Sequence, residues 1–594
     1  MKCVLVACVG AAVSFGGSMA WACGGFFCSG QQIDQSGERV LFIVEDGHVQ
    51  AHIQIQFEGN ASDFSWVVPV SEVPTFDVGS DEAFTALLSA TVPRFERDTR
   101  YAPGCEPDWG GDADADADAD SDADSDADVG GAVTVISTGV AGPYSTVVVD
   151  SEDPDALVRW LEENEYDVGE GALPIIASYV NAGFYFAGLK LQNDRSVGDL
   201  RPIVLDIPTD EPCLPIRLTS IAATPNMPIL VWVLADAQAV SLNYPELWLN
   251  DLYLYAADDG DYGDLANRAL DEIGGRGFLV DFAGSPADAR AAMNPDRYDT
   301  DRLATITDPR ELLREVEAQR LLASPKMLEL LQTHVPIPES YVAEEISPAE
   351  FYACVDCGLE CWDDDDGGDC WRECDRCYGD ELVESGYEFD GPGLAASIER
   401  EIVAPLRSVA DALSRHSKLT RMYTTMSPGE MTEDPIFATN PDLPDVPTLR
   451  SGVRTYMCTP GAGWDEGGQW DVVTPNGVRA CVPTAEWGDP DDEMPAALLA
   501  IRQSERGAGR LIVDNRDDVN ARYRCSPDGP DPDPEVQYVP GSRFASTTNP
   551  WSQPERDDGG LCNVGTASPR SSIPILAGLV LLFGWLRRKA RYRL

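Results

Sequence analysis

Cysteine spacing constrains this chain more than any other feature. Cys354, Cys357, Cys361, Cys370, Cys374 and Cys377 crowd into one short stretch. Offsets of three and seven in the first trio, and four and seven in the second, bring each trio to one face of a helix. Residues 362–369 between them read Trp-Asp-Asp-Asp-Asp-Gly-Gly-Asp, a polar turn. The spacing predicts two antiparallel helices stapled by nested pairs: Cys354–Cys377, Cys357–Cys374 and Cys361–Cys370. The competing reading is zinc, because Cys354-x2-Cys357 and Cys374-x2-Cys377 match four-cysteine ligand spacing. Zinc would leave Cys361 and Cys370 without a role.

The compartment weighs between these readings. Lys2, the apolar run 4–15 and the small residues Ala20 and Ala22 form a secretory signal peptide, with cleavage expected between Ala22 and Cys23. A lipoprotein signal would also leave Cys23 first, although a lipobox wants Leu where Ala20 stands. Of sixteen cysteines, Cys3 and Cys8 leave with the peptide, and an even number remains. Outside the cytoplasm such a set favours disulfides. Cys23 and Cys28 would close a small loop. Cys458 and Cys481 flank a hairpin turning at Asn476-Gly477 and are expected to pair. Elimination then suggests Cys105–Cys213 and Cys525–Cys562.

Charge excludes some partners. Asp and Glu total 101 against 43 Lys and Arg, a formal net charge of −58. Nucleic-acid binding needs clustered positive charge, so none is expected. With 43% hydrophobic residues and 13 Trp, the chain still has enough apolar surface to build cores. Asp alternates with Ala or Ser from Asp112 to Asp128 inside a low-complexity insert, 111–131. Mutual repulsion makes that insert a disordered, solvated spacer. Asp112, Asp114, Asp116 and Asp118 are weak calcium candidates that lack the glycine of an EF loop. No cofactor with a defined site is expected, and weak calcium condensation on this insert is the one candidate.

The fold class expected is α+β. Residues 23–259 read as a mixed domain: a hairpin over 39–57 turning at Asp46-Gly47, helices at 81–89 and 155–164, and strands at 64–70, 184–191, 203–207, 216–222 and 229–234. Residues 260–345 read as helical. There Asp308 caps a helix whose first position is Pro309, and Ser324-Pro325 restarts a second helix. The cysteine hairpin occupies 350–380, a helix and a Pro- and acid-rich excursion fill 381–450, and 451–524 forms a small β element. A stalk over 525–572 leads to the C-terminal segment. His48 and His52 lie on a strand with Gln50 and Gln54, on the face expected to meet solvent. At roughly 13 Å apart they are too distant to share a zinc ion.

The apolar run 573–586 opens on Ile573 and closes on Leu586, and Arg587 and Arg588 head a basic tail, 587–594. As a helix the run spans about 21 Å, short for a ~30 Å hydrocarbon core. The basic tail would stay cytoplasmic, leaving the rest outside the cell. The segment reads either as a membrane anchor or as a sorting tail, and it resembles the C-terminal sorting tails of myxobacterial-type surface proteins.

Several segments resemble one bacterial surface family, domain of unknown function twenty-three thirty. They are Ala22-Cys-Gly-Gly-Phe-Phe-Cys28, Glu38-Arg-Val-Leu-Phe42, Phe64-Ser-Trp-Val-Val-Pro-Val70, Gly142-Pro-Tyr144, 157–166, Leu189-Lys-Leu191, Phe351-Tyr-Ala-Cys354 and 419–446. The resemblance implies secretion and surface attachment, and supplies no catalytic residue. No metalloprotease helix, nucleophile elbow or phosphate loop is present. The expectation is a structural or binding protein of the cell envelope, held to the membrane by its C-terminal segment. The alternative is an extracytoplasmic hydrolase of glycosidase type, working through two carboxylates.

Overall fold

Asp46 and Gly47 both take positive φ, 52° and 79°, the backbone that a two-residue turn between twisted strands requires. They join Asp34–Glu45 to His48–Glu58 in antiparallel register, with Glu45 opposite His48. This is the hairpin expected from the sequence. The computed structural model describes residues 34–525 except 59–64, 104, 106–132, 167, 170, 193–199, 257–259, 344–345, 354–358, 362–369, 373–377, 459–467 and 484–493.

The hairpin lies within a ten-stranded mixed sheet. Its order is Arg510–Asp514, Ala497–Arg502, Glu246–Leu249, Phe278–Gly284, Lys418–Met426, Met227–Ala235, Asp34–Glu45, His48–Glu58, Ile203–Ile207 and Thr75–Val78. Side chains of Asp34–Glu45 alternate between two cores: Val40 and Phe42 enter one, Leu41 and Ile43 the other. Both faces are therefore covered.

On the first face lies a four-stranded sheet ordered Ser65–Val70, Tyr185–Leu191, Tyr144–Asp150 and Thr134–Ala141. It adds Trp66, Val68 and Leu189 to the shared core. Its outer side packs Val67, Val149 and Phe186 on helices Pro154–Glu163 and Ala172–Ala182. The second face of the large sheet is roofed by helices including Asp81–Thr91, Pro309–Ala318, Pro325–His334 and Ala404–Arg415. Asp308 and Ser324 cap two of these, accepting from the backbone N–H of Arg310 and Met327. The layers run helix, sheet, sheet, helix.

The mixed α+β class therefore holds, with several details changed. The large sheet crosses the boundary read near 259, since Lys418–Met426, Ala497–Arg502 and Arg510–Asp514 join the N-terminal strands. Phe278–Gly284 is a strand inside the span read as helical. Residues 216–222, expected as a strand, begin with the short helix Ile216–Thr219. A remote carboxylate explains the difference: Asp434 accepts from the Arg217 N–H at 3.1 Å and supplies a tertiary cap.

The cysteine hairpin is also corrected. Its described parts, Leu359–Cys361 and Cys370–Arg372, are antiparallel strands with Cys361 opposite Cys370. The first half, Cys-Val-Asp-Cys-Gly-Leu-Glu-Cys, is rich in poor helix formers, which outweigh the helical spacing. Cys354, Cys357, Cys374 and Cys377 lie outside the described residues.

Disulfide partners differ as well. A third sheet is ordered Arg94–Tyr101, Leu449–Met457, Gln469–Val473 and Arg479–Pro483. Gly477 forms the expected turn with φ of 83°, but between Gln469–Val473 and Arg479–Pro483. Cys458 follows the inner strand Leu449–Met457 and Cys481 lies two strands away, about 9.6 Å by sheet spacing and beyond disulfide reach. Instead Cys458 pairs with Cys105, with 5.5 Å between Cα atoms, because Arg94–Tyr101 and Leu449–Met457 run parallel and end side by side. Cys481 pairs with Cys525 at 4.9 Å. These bonds replace the expected Cys458–Cys481, Cys105–Cys213 and Cys525–Cys562 pairs. Cys213 is also disulfide-bonded.

Candidate functional site

The site begins with a close approach that needs glycine. Gly142 has φ of 53°, and a Cβ there would sit 2.5 Å from Val78 Cγ1. Two residues on, the Tyr144 hydroxyl donates to the Arg201 carbonyl at 2.6 Å and accepts from the Arg201 N–H at 2.8 Å. Tyr144 thus fixes the backbone of Arg201 at the edge of the large sheet.

The side chain of Arg201 is fixed from the helical layer. Helix Gly391–Ile398 widens into a π turn over Glu399–Val403 and resumes as Ala404–Arg415. Pro405 has no N–H to offer the Glu401 carbonyl four residues earlier. Arg201 Nη2 donates to that carbonyl instead. Turns of this kind recur at functional sites.

Three cations meet at the Glu401 carboxylate. Arg400 Nη2 lies 2.5 Å from Oε1, while Lys326 Nζ and Arg201 Nη1 lie 3.2 and 3.7 Å from Oε2. Lys326 also contacts Glu329 at 2.9 Å. Burial works to raise the Glu401 carboxyl, but Arg400, Lys326 and Arg201 outweigh it and hold it below the usual range. It stays ionised.

Beside this cluster opens a cleft of about 620 Å³. Its sheet wall carries Gln50, His52, Asp77 and Asp206, and its helix wall Lys326, Arg400, Glu401 and Ser408. The face of His48–Glu58 expected to meet solvent is therefore roofed. His52 is 5% exposed, its Nε2 is buried without a hydrogen-bond partner, and burial pushes its imidazole down to about 4. It is neutral at pH 7. His48 remains exposed and pairs with Asp206 at 2.9 Å.

A smaller cavity of about 220 Å³ shares Arg201 with the cleft. In it Arg39 donates to Gln54 at 3.1 Å and Gln54 donates to Asp81 at 2.5 Å. Farther along the sheet, Asp281 is fully buried beside Arg421, with 3.2 Å between Oδ2 and Nε. That pair is close but poorly aligned, since neither atom makes a hydrogen bond. Tyr262 donates to the other carboxylate oxygen.

Among the described residues, one group has metal-ligand spacing: Asp471, Cys481 and Cys525. Two of its members are spent in a disulfide. Asp112, Asp114, Asp116 and Asp118 lie outside the described residues, as do Ala22, Cys23, Cys28, Ile573, Leu586, Arg587 and Arg588. Among the described residues no helix is long and apolar enough to cross a membrane. Three carboxylates line the cleft, Asp77, Asp206 and Glu401. Glu401 is tied to three cations, Asp206 to His48, and Phe76 is the one Phe, Tyr or Trp among the described lining residues.

Sequence reasoning missed Arg201, Lys326, Arg400 and Glu401. One signal was available: a proline at 405 inside an apolar helical pattern, which must leave a carbonyl unpaired somewhere. Nothing local identifies Arg201 as the group that answers it.

No curated protein and no solved structure matches the chain. A family described as an uncharacterized protein conserved in bacteria (DUF2330) matches residues 17–319. That span holds His52, Asp77, Tyr144 and Arg201, while Lys326, Arg400 and Glu401 follow it. The chain belongs to this DUF2330 family.

Proposed function

We propose that this is an exported protein of the cell envelope with a binding role, held at the surface by its C-terminal segment. The observation that carries the reading is the pair of long-range disulfides, Cys105–Cys458 and Cys481–Cys525. Bonds joining residues 353 apart in sequence belong to chains that fold in an oxidising compartment. The signal-like N-terminus and the apolar run followed by arginines support the same placement. A cleft of about 620 Å³ walled by polar side chains is of a size that holds a small molecule.

The test is labelling of intact cells with a membrane-impermeant amine reagent, followed by fractionation. The protein should be labelled without lysis and should partition with the envelope. Labelling only after lysis would contradict export.

A further inference from the structure

We propose that the cleft beside the π turn binds a small organic oxyanion, a carboxylate or phosphate carried on a polar molecule, through Arg201, Lys326 and Arg400. This deepens the binding role above and does not depend on where the protein resides.

The first argument is charge placement. Lys and Arg number only 43 in 594 residues, yet three of them, from three separate elements, converge beside one cleft. Glu401 and Glu329 pair with them, while Asp77 and Asp206 stand on the far wall of the cleft. Arg201 is 7% exposed and Lys326 11%, so their charges are weakly screened and act strongly at short range. Arg400 is 65% exposed, and its guanidinium can reorient toward an incoming anion.

The second argument is independent of charge. His52, on the opposite wall, is buried and its Nε2 has no partner. A buried polar atom without a hydrogen bond costs about 1–3 kcal/mol, and His52 belongs to the lining of the cleft. The same wall offers Gln50, Thr75 and Asp77, which suit hydroxyl or amide groups on the rest of the molecule.

Glu401 is then an internal competitor. Its carboxylate sits where the three cations meet, the position an external carboxylate or phosphate would take. This predicts opposite signs for two neighbouring substitutions. Removing a cation (Arg400→Gln) weakens anion binding, whereas removing the competing charge (Glu401→Gln) tightens it. A purely structural cluster would show neither change.

The experiment is isothermal titration of the full chain with succinate, inorganic phosphate, glucuronate and glucose. The anions should release or absorb heat and glucose should not, and phosphate against succinate identifies the preferred group. Arg400→Gln should weaken anion binding about tenfold, and Glu401→Gln should tighten it several-fold. Arg400 is exposed, so its variant keeps the test usable even if Glu401→Gln lowers stability. Heat from glucose alone would overturn the anion class while leaving a binding role. Absence of binding by every anion, or equal affinities in wild type and both variants, would overturn the site.

Discussion

The guanidinium of Arg201 makes the hydrogen bond that Pro405 cannot. Pro405 leaves the Glu401 carbonyl without its helical donor, and Arg201 Nη2 donates to it from the sheet side. One contact joins sheet edge and helical roof, and both of its residues line the charged cleft.

That relationship predicts coupling between the two residues. Arg201→Gln should cost about 1 kcal/mol or more, the penalty for orphaning a part-buried carbonyl. Pro405→Ala restores the helical donor, so the cost of Arg201→Gln should fall in its background. Chemical denaturation of the four proteins in a double-mutant cycle measures the difference. Strict additivity would show that the two residues act separately.

A second prediction concerns Asp281, which is 0% exposed beside Arg421. Asp281→Asn leaves the Arg421 charge buried and uncompensated, and should destabilise by about 3–5 kcal/mol. Asp281→Asn combined with Arg421→Met should recover much of that loss. Thermal melts of the single and double variants decide this, and an unrecovered double variant would contradict it.

A third follows from Glu38. Burial raises its carboxyl to about 7, with the Gln35 amide pulling the other way. In the unfolded chain it titrates near ~4.3. The stability it contributes is therefore full below about 4.3 and is lost as pH rises through about 7. Asp251, also raised to about 7 by burial, has the same sign, whereas His52 acts in the opposite direction over a more acidic range. Glu38→Gln should stabilise by roughly 1–3 kcal/mol at pH 8 and much less at pH 4. Equal effects at both pH values would show that burial does not raise the Glu38 carboxyl.

A fourth concerns the Cys105–Cys458 bond. Replacing both cysteines by serine should cost about 2–5 kcal/mol, since the closed loop is long. The Cys481–Cys525 bond should form as before. A free thiol at Cys481 in that variant would revive the pairing expected from the hairpin.

How much was legible follows from which forces are local. The Asp46-Gly47 turn and the Asp308-Pro309 and Ser324-Pro325 helix starts are encoded in adjacent residues, and each appears where expected. The Ile216–Thr219 helix depends on Asp434, far along the chain. Disulfide choice depended on strand order, because Cys458 follows the first strand of a three-strand meander and Cys481 lies in the third. His52 follows the alternation of its strand, but periodicity could not reveal that the polar face is roofed. The cleft combines residues 52, 201, 326 and 400, a juxtaposition no local pattern contains.

Non-reducing peptide mass spectrometry of the native protein tests the central claim, an exported and disulfide-tied chain, most directly. The account predicts cross-linked peptides joining Cys105 to Cys458 and Cys481 to Cys525, together with a mature N-terminus at Cys23. Free thiols at those four positions, on a chain that still begins at Met1, would contradict it.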